Sequence, residues 1–353
     1  MGKNNNCQSQ IAMPKKIENC LLPHFLQSKY WAEFQKSLNR PFVLKSDDGW
    51  SCLAIEEKGS FSNRLYCPFG PTAKSFADFE DVFSFLIEET KRRDLDFLRV
   101  EPRYSQFVSI DEEDMLKLGF KKAFYNVQPQ DTAINALFKL TSDDGDFEPL
   151  TDDEIVSKCS QLPRRIFKKL DKSGVKYSIS YDPCDIEIFL KMIKEVSERT
   201  GFTPFSDQCY ENIGKALFPL KAGGLSFAYK ENNGKKEYMS GIIFYKDNKM
   251  MSYAHAASFD KYRKDSPSTG LVLKTLMFAK DQGLKHFDFH GIAPANVVNH
   301  KWSGFTRFKL SFGGERVGYS GTWEMPVKNL RYKTYLGLLK TFKALKITKR
   351  NFS

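Results

Sequence analysis

No CxxC pair occurs among the seven cysteines, Cys7, Cys20, Cys52, Cys67, Cys159, Cys184 and Cys209, and their odd number leaves one without a mate. That pattern favours free thiols in a reducing cytoplasm over a disulfide scaffold or a zinc framework. No apolar run approaches the length needed to span a bilayer, and the opening MGKNNNCQSQ lacks an apolar signal core. A cytoplasmic protein, soluble or peripheral at a membrane, is expected. Gly2 stands where a myristoylation signal would begin, but Asn6 occupies the place of its hydroxyl residue, so none is read. Glycine is also scarce where it would grip phosphate. The stretch a coenzyme A acetyltransferase would use for its pyrophosphate is RKDSPSTG, Arg263 to Gly270, which holds one glycine beside Ser266, Ser268 and Thr269. Arg263, which opens it, is a candidate substrate-binding residue.

Size, aromatic content and positive charge are present instead. A chain of 353 residues exceeds one ordinary core and suggests two domains, and 41% hydrophobic with 14% aromatic residues marks it as globular. The net charge of +11 suggests an anionic partner: nucleic acid, phosphate-bearing lipid or a membrane surface.

Periodicity predicts a helix from Phe76 to Arg93, the strand LDFLRVEP, a helix from the acidic cluster Asp111–Asp114 to Gly119, and the strand KKAFYNVQP. The same order returns as a helix from Ser268 to Gln282, the strand LKHFDFHGI, and after Gly304-Phe305 the strand TRFKLSF. The helix ends Arg93 and Gln282, and the GF pairs at Gly119 and Gly304, are separated by 189 and 185 residues, as a duplicated domain would allow. Each half opens on three short strands: PFVLKS, WSCLAIEE and NRLYCPFGP in the first, GGLSFAYKE, EYMSGIIFYKD and KMMSYAHAAS in the second. The acidic stretch from Ser142 to Glu154 marks the boundary. The expected fold class is α/β, a mixed sheet flanked by helices in each half.

Several residues could carry chemistry. In GFTRFKLSFGGE, strand alternation puts Phe305, Arg307, Lys309 and Ser311 on one face and Thr306, Phe308, Leu310 and Phe312 on the other, so one lysine stands in an aromatic strand before the Gly313-Gly314 turn. The segment QLPRRIFKKLDKSGVKYSI holds Arg164, Arg165, Lys168, Lys169, Lys172 and Lys176 and predicts a helix with a basic face ending at Gly174; it reads either as a docking surface for a phosphate-bearing substrate or as a solvated face over Ile166, Phe167 and Leu170. The C-terminal stripe Tyr332, Tyr335, Leu336, Leu339, Phe342 and Leu345 reads either as a membrane-surface helix or as one docked on the core. His286, Asp288 and His290 alternate on one strand face; a metal site and a satisfied polar strand end are the two readings, and no metal is assigned. Asp288 ends a strand where an α/β sheet commonly places its ligand crevice and is a candidate binding residue.

Together, FLQSKYW (Phe25 to Trp31), YCPFGP (Tyr66 to Pro71), RVEP (Arg99 to Pro102), QPQDT (Gln128 to Thr132), PRRIFKKLDKSGV, SERTGF (Ser197 to Phe202), DFHGI and FTRFKLSFGGE resemble the Fem family of peptidoglycan bridge-forming aminoacyltransferases, in order and almost end to end. The resemblance implies two tandem acetyltransferase-like (GNAT) domains: residues 1–150 with 316–353 returning to them, and 151–315 carrying the FK motif. It implies transfer of an amino acid from aminoacyl-tRNA to the side-chain amine of a stem peptide, on lipid II or a UDP-MurNAc-peptide, with no cofactor and with possible contact at the inner membrane surface. An acyl-coenzyme A N-acyltransferase of the same fold and a non-catalytic RNA-binding protein are the alternatives. By the same resemblance Phe308 and Lys309 match the family's FK pair, with Lys309 stabilising the reacting ester. Tyr253 and His255 fall on the strand that lines the precursor pocket, and Tyr210 and Lys36 lie beside positions that hold the precursor. The chain departs from the pattern at His255, at His290, at Gln35 beside Lys36, and in having no arginine between SERTGF and Tyr210.

Overall fold

Alternating apolar residues and short turns build a first sheet. The computed structural model describes residues 24–102, 110–141, 147–295, 297 and 299–351. Helix α1 (Lys29–Ser37) leads to strands β1 (Phe42–Ser46), β2 (Trp50–Lys58), β3 (Asn63–Cys67) and β4 (Thr72–Ala73). Helix α2 (Phe76–Arg92), strand β5 (Phe97–Val100), helix α3 (Glu112–Lys117) and the two-residue β6 (Lys121–Lys122) follow. β1, β2 and β3 are antiparallel neighbours, and β5 pairs parallel to β3. Helix α2 makes that crossover. Its cap Ser75 accepts the Asp78 amide at 3.1 Å, and Phe79, Val82, Phe83 and Leu86, at helical spacing, are buried against Ala54, Leu65 and Leu98.

The chain then crosses to a second sheet. It starts with β7 (Asp131–Ala136) and the small hairpin β8 (Phe138–Leu140) and β9 (Phe147–Pro149), then helices α4 (Asp152–Lys158) and α5 (Gln161–Lys172) and strand β10 (Lys176–Ser180). Helices α6 (Ile186–Thr200) and α7 (Asp207–Leu217) precede β11 (Gly223–Asn232), β12 (Lys235–Lys246) and β13 (Met250–Ser258). Helix α8 (Pro267–Asp281), β14 (His286–Ile292), helix α9 (Ser303–Leu310) and β15 (Glu315–Gly318) complete this part. The strand order is β10-β11-β12-β13-β14-β7-β15, with β14 parallel to β13. Successive β12 residues alternate faces: Ile242 and Phe244 meet α8, while Ile243 and Tyr245 meet α6 and α7. The units β3-α2-β5 and β13-α8-β14 repeat one pattern, and the matched positions Arg93 and Gln282 are both helix C-caps. Strand β16 (Trp323–Pro326) then returns to the first sheet beside β5, and helix α10 (Asn329–Asn351) closes the chain. The fold class is the expected mixed α/β, with two mixed sheets flanked by helices. Each sheet also contains a strand from the other's part of the chain: β7 lies in the second sheet and β16 in the first.

Two expected strands are corrected. Of KKAFYNVQP, Lys121 and Lys122 alone join the sheet, because β16 offers partners at Trp323 and Glu324 and no further. After one more backbone bond, from the Ala123 amide to the Thr322 carbonyl at 3.0 Å, side chains take over: Asn126 Oδ1 accepts the Thr322 amide at 3.0 Å and Glu101 Oε1 accepts that of Gln128 at 2.9 Å. TRFKLSF is helical. Its apolar residues satisfy both periods, since Phe308 and Phe312 are alternate strand positions and also an i, i+4 pair with rings 5.0 Å apart. Thr306 decides: its hydroxyl donates to the Trp302 carbonyl at 2.9 Å and accepts the Ala293 amide at 2.8 Å. The two GF pairs are therefore not equivalent, since Gly119 follows a helix end with φ of 83° and Gly304 lies inside α9. Cys7, Cys20 and residues 142–146 of the acidic stretch lie outside the described residues.

Two networks join the parts. Gln27 donates to the carbonyls of Leu53 at 2.9 Å and Pro68 at 2.6 Å and accepts the Leu53 amide at 2.8 Å. From the same FLQSKYW segment, Phe25 and Trp31 reach Tyr245 of the second sheet, with ring centroids at 4.9 and 5.9 Å. In the first sheet, buried Arg99 donates to Glu324 Oε1 at 2.9 Å and to the Tyr335 hydroxyl at 2.8 Å, and Glu324 Oε2 accepts the Tyr332 hydroxyl at 2.8 Å. Tyr332 and Tyr335 pack on Phe97, so the described stripe of α10 docks on the core. Replacing Arg99 with methionine leaves Glu324 charged and buried; it should cost about 3–5 kcal/mol, read from the urea midpoint. The double replacement Arg99→Met with Glu324→Met should cost less than the single one, and a larger cost would refute the ion-pair account.

Candidate active site

A bulge in β14 organises the centre of the second sheet. Asp288 pairs with Ile134 and Gly291 with Thr132, so Phe289 and His290 together oppose Ala133. His290 absorbs the extra length in the left-handed region, φ 57°. Asp288 supports it from below, accepting the His290 amide at 2.7 Å and the Thr132 hydroxyl. The bulge breaks the strand alternation, so His286, Asp288 and His290 do not share a face as the sequence pattern predicts. His286 is buried edge-on to Phe138 at 5.5 Å, and among the described residues no group of three His, Cys, Asp or Glu side chains is arranged to hold a metal. A Cβ on Gly291 would fall 2.6 Å from Cγ of Pro129, so the close approach of that ring demands glycine.

Lys309 closes the bulge from above. From α9 its Nζ donates to the Gly291 carbonyl at 2.7 Å and the His290 carbonyl at 3.2 Å, and lies 5.8 Å from the Tyr253 ring centroid. Burial pulls its pKa down to about 8, opposed by the nearby Asp288 carboxylate. An ammonium has three N–H donors, so two carbonyls leave one for a ligand. Phe308 packs beneath against Phe312 and the second core, as an anchor for the lysine's turn.

A second group lies on β13, where Ala254 is the unmatched residue opposite β12 between Tyr253 and His255. His255 Nε2 is 3.4 Å from the Tyr245 hydroxyl, and its ring is met edge-on by Tyr210 at 5.2 Å and Phe205 at 5.3 Å. Burial, and then the neighbouring His290, push its pKa down to about 4, leaving a neutral imidazole at neutral pH.

The structure thus brings Lys309, Tyr253 and Asp288 together, and His255 with Tyr210. Lys36 is exposed on α1 with Glu33 at 3.9 Å, and Arg263 is exposed on the turn Asp260–Asp265; neither side chain shows a contact with these groups among the described residues. The RKDSPSTG stretch does not form an open phosphate loop. Pro267, Thr269 and Gly270 of the first turn of α8 are buried, and a Cβ on Gly270 would collide with the Tyr177 hydroxyl and Leu170. On α5, Arg164, Arg165, Lys168, Lys169 and Lys172 are exposed, and none is in an ion pair among the described residues, while Leu170 is buried beneath. Sequence reasoning missed Thr132, Gly291 and Tyr245, of which QPQDT and DFHGI were the visible signals for the first two.

Comparison with known proteins bears on this geometry. The FemAB family model matches residues 225–340. The aminoacyltransferase FemA of Staphylococcus aureus is 19% identical over 255 residues, covering 55% of this chain and 60% of its own length, so the chain spans about three fifths of that relative. The crystal structure of FemX is similar with a TM-score of 0.75 at 16% identity, over 90% of this chain and 96% of FemX. The structure of L-PGS from Bacillus licheniformis follows with a TM-score of 0.54 at 14% identity, over 88% and 93% of the two chains. The resemblance to the Fem family read from the motifs is upheld.

Two titrations test the electrostatics. By NMR of ¹³C-dimethylated lysines, Lys309 should titrate near 8, against 10.5 for an ordinary lysine, and Asp288→Asn should lower it further; an ordinary value would remove the buried cation. Between those two values the unfolded chain keeps a proton the folded one has lost, so stability should rise with pH across that window. His255 and His286, both pushed down to about 4 from an ordinary 6.5, act at the acid end: the stability they contribute above 6.5 is lost as pH falls towards 4. His255→Phe should flatten that loss in thermal melts recorded from pH 7 to 4.

Proposed function

We propose that the protein is a cytoplasmic aminoacyltransferase that moves an amino acid from aminoacyl-tRNA to the side-chain amine of the diamino acid in a peptidoglycan-precursor stem peptide, building the interpeptide bridge. The observation that carries the reading is Lys309, a cation held at a strand bulge with one N–H to spare, in the segment that matches the FemAB model. The aminoacyltransferase relative FemA and the FemX fold support this reading.

The chemistry follows from the geometry. The neutral acceptor amine attacks the ester carbonyl of the aminoacyl group; the C–N bond forms, the carbonyl oxygen gains negative charge, and the amine nitrogen gives up a proton. Collapse breaks the C–O bond and releases the tRNA 3′ or 2′ oxygen, which takes a proton. A fixed ammonium at the carbonyl oxygen stabilises the charge that develops there, and partial burial strengthens that interaction. Tyr253 walls one side, and the neutral, aromatic-ringed His255 and Tyr210 would line the acceptor's path. The exposed basic face of α5 offers phosphate contacts for the body of the tRNA. Lipid II and its UDP-linked form both present this acceptor.

The acyl-coenzyme A alternative is disfavoured by the buried first turn of α8, which offers no open amides for a pyrophosphate. A direct test incubates the protein with labelled precursor and either charged tRNA or acetyl-coenzyme A, with and without ribonuclease. Ribonuclease-sensitive transfer is expected; tRNA binding without transfer would leave a non-catalytic RNA-binding protein. Lys309→Met should lower the transfer rate by about 10²-fold or more while the circular dichroism melt stays cooperative. Full activity in that variant would sink the role given to Lys309.

A further inference from the structure

One turn before Lys309 on α9 stands Phe305, 63% exposed. The i, i+4 spacing puts the two side chains on one helical face, so the exposed ring stands on the same side of α9 as the partly buried cation. A large ring left this open beside a buried reactive group is not an ordinary stray surface residue, because its neighbours form a pattern. Trp302, the residue that caps α9, is half-buried, 3.5 Å from the ideal Cβ position of Gly291 in the bulge. Lys301 sets its Nζ 5.8 Å from the Trp302 ring centroid. Lys301 is exposed and is in no ion pair among the described residues. The turn and the first helical turn thus set one cation and two aromatic rings ahead of the site lysine, while Arg307, two residues from both Phe305 and Lys309, faces away from them.

We infer that Phe305 and Trp302, with Lys301 beside them, are the stacking platform for the unpaired 3′-terminal nucleotides of the donor tRNA. This rests on aminoacyl-tRNA being the donor. The physical argument is one of fit. The acceptor end of a charged tRNA is single-stranded, so its bases expose their faces and each linkage carries one negative charge. Single strands are held where aromatic rings take the bases and cations follow the backbone. A base stacked on Phe305 would leave the terminal ribose and its ester one helical turn further on, at Lys309, so the platform sets the distance between the last bases and the reacting carbonyl. Positioning of this kind acts on binding of the donor and not on the charge-stabilising step.

The test uses the full chain and two probes, intact charged tRNA and the same tRNA with its terminal CCA removed. Phe305→Ala, at an exposed helical position where alanine is well tolerated, should raise KM for charged tRNA about tenfold with kcat within about twofold, and Phe305→Trp should restore KM. In binding assays the wild type should prefer intact over trimmed tRNA, and Phe305→Ala should lose that preference while keeping its affinity for the trimmed form. A variant that keeps both the wild-type KM and the preference for intact tRNA overturns the platform and leaves the transfer reaction standing. A wild type that transfers nothing from any charged tRNA and does not distinguish the two probes overturns both.

Discussion

The pairing of β7 with β14 is the interaction on which the candidate site depends. β7 is chain from before the long second half, yet it occupies the slot beside β14, and its register forces two β14 residues to oppose one. The same strand supplies Thr132 to Asp288 and Asn135 to the Phe312 carbonyl, at 2.7 Å, just after α9. One strand therefore creates the bulge, holds the carboxylate under it, and fixes the end of the helix whose lysine caps it. Neighbouring β15 continues the arrangement: Arg316 donates to Asp131 at 3.0 Å and to the Ala293 carbonyl at 2.6 Å. Shifting β7 by one residue would turn Thr132 and Ile134 together to the other face and remove these supports.

The exchange of β7 for β16 has a second consequence. A sheet completed by a distant segment cannot close until that segment arrives, so the two sheets share stability through the chain that crosses between them. Glu101 sits at this crossing. It accepts the hydroxyls of Tyr66 and Thr322, each at 2.6 Å, and the Gln128 amide at 2.9 Å, tying β3, the stretch before β7 and the stretch before β16 to one buried carboxylate. Burial pushes the pKa of Glu101 up, against these donors. The RVEP, QPQDT and YCPFGP motifs meet here, which gives their association a structural cause: they are the joint between the sheets.

Much of this was legible in the sequence. Six antiparallel strands, the helices covering them and the two parallel strands follow from periods of two and of 3.6 with turn residues between, since local pattern and burial agree in those segments. Lys309 stood out for its aromatic setting. The sequence did not disclose that its segment is a helix, because Phe308 and Phe312 suit either period and the choice rests on a tertiary hydrogen bond from Ala293 to Thr306. Nor could alternation reveal the bulge: His286, Asp288 and His290 read as one face until the register with β7 inserts a residue. Lys36 follows from the family resemblance and Arg263 from loop composition, and neither says which surface a helix or turn presents.

The placement of Lys309 also bears on how a lysine could serve beside the activated ester of the proposed reaction. A buried amine with a pKa near 8 is close to losing its proton, and a neutral amine would attack the ester itself and trap the aminoacyl group on the enzyme. Two carbonyl acceptors work against that outcome. They hold N–H bonds that the ammonium offers best, they occupy two of the three directions around the nitrogen, and the Asp288 charge adds a further bias towards the protonated form. The bulge thus makes the cation's charge compatible with its burial, and it fixes the direction in which the remaining N–H points. A guanidinium would keep its charge with less help, but its planar fork would not match two carbonyls on adjacent residues and still leave a single directed donor for a developing oxyanion.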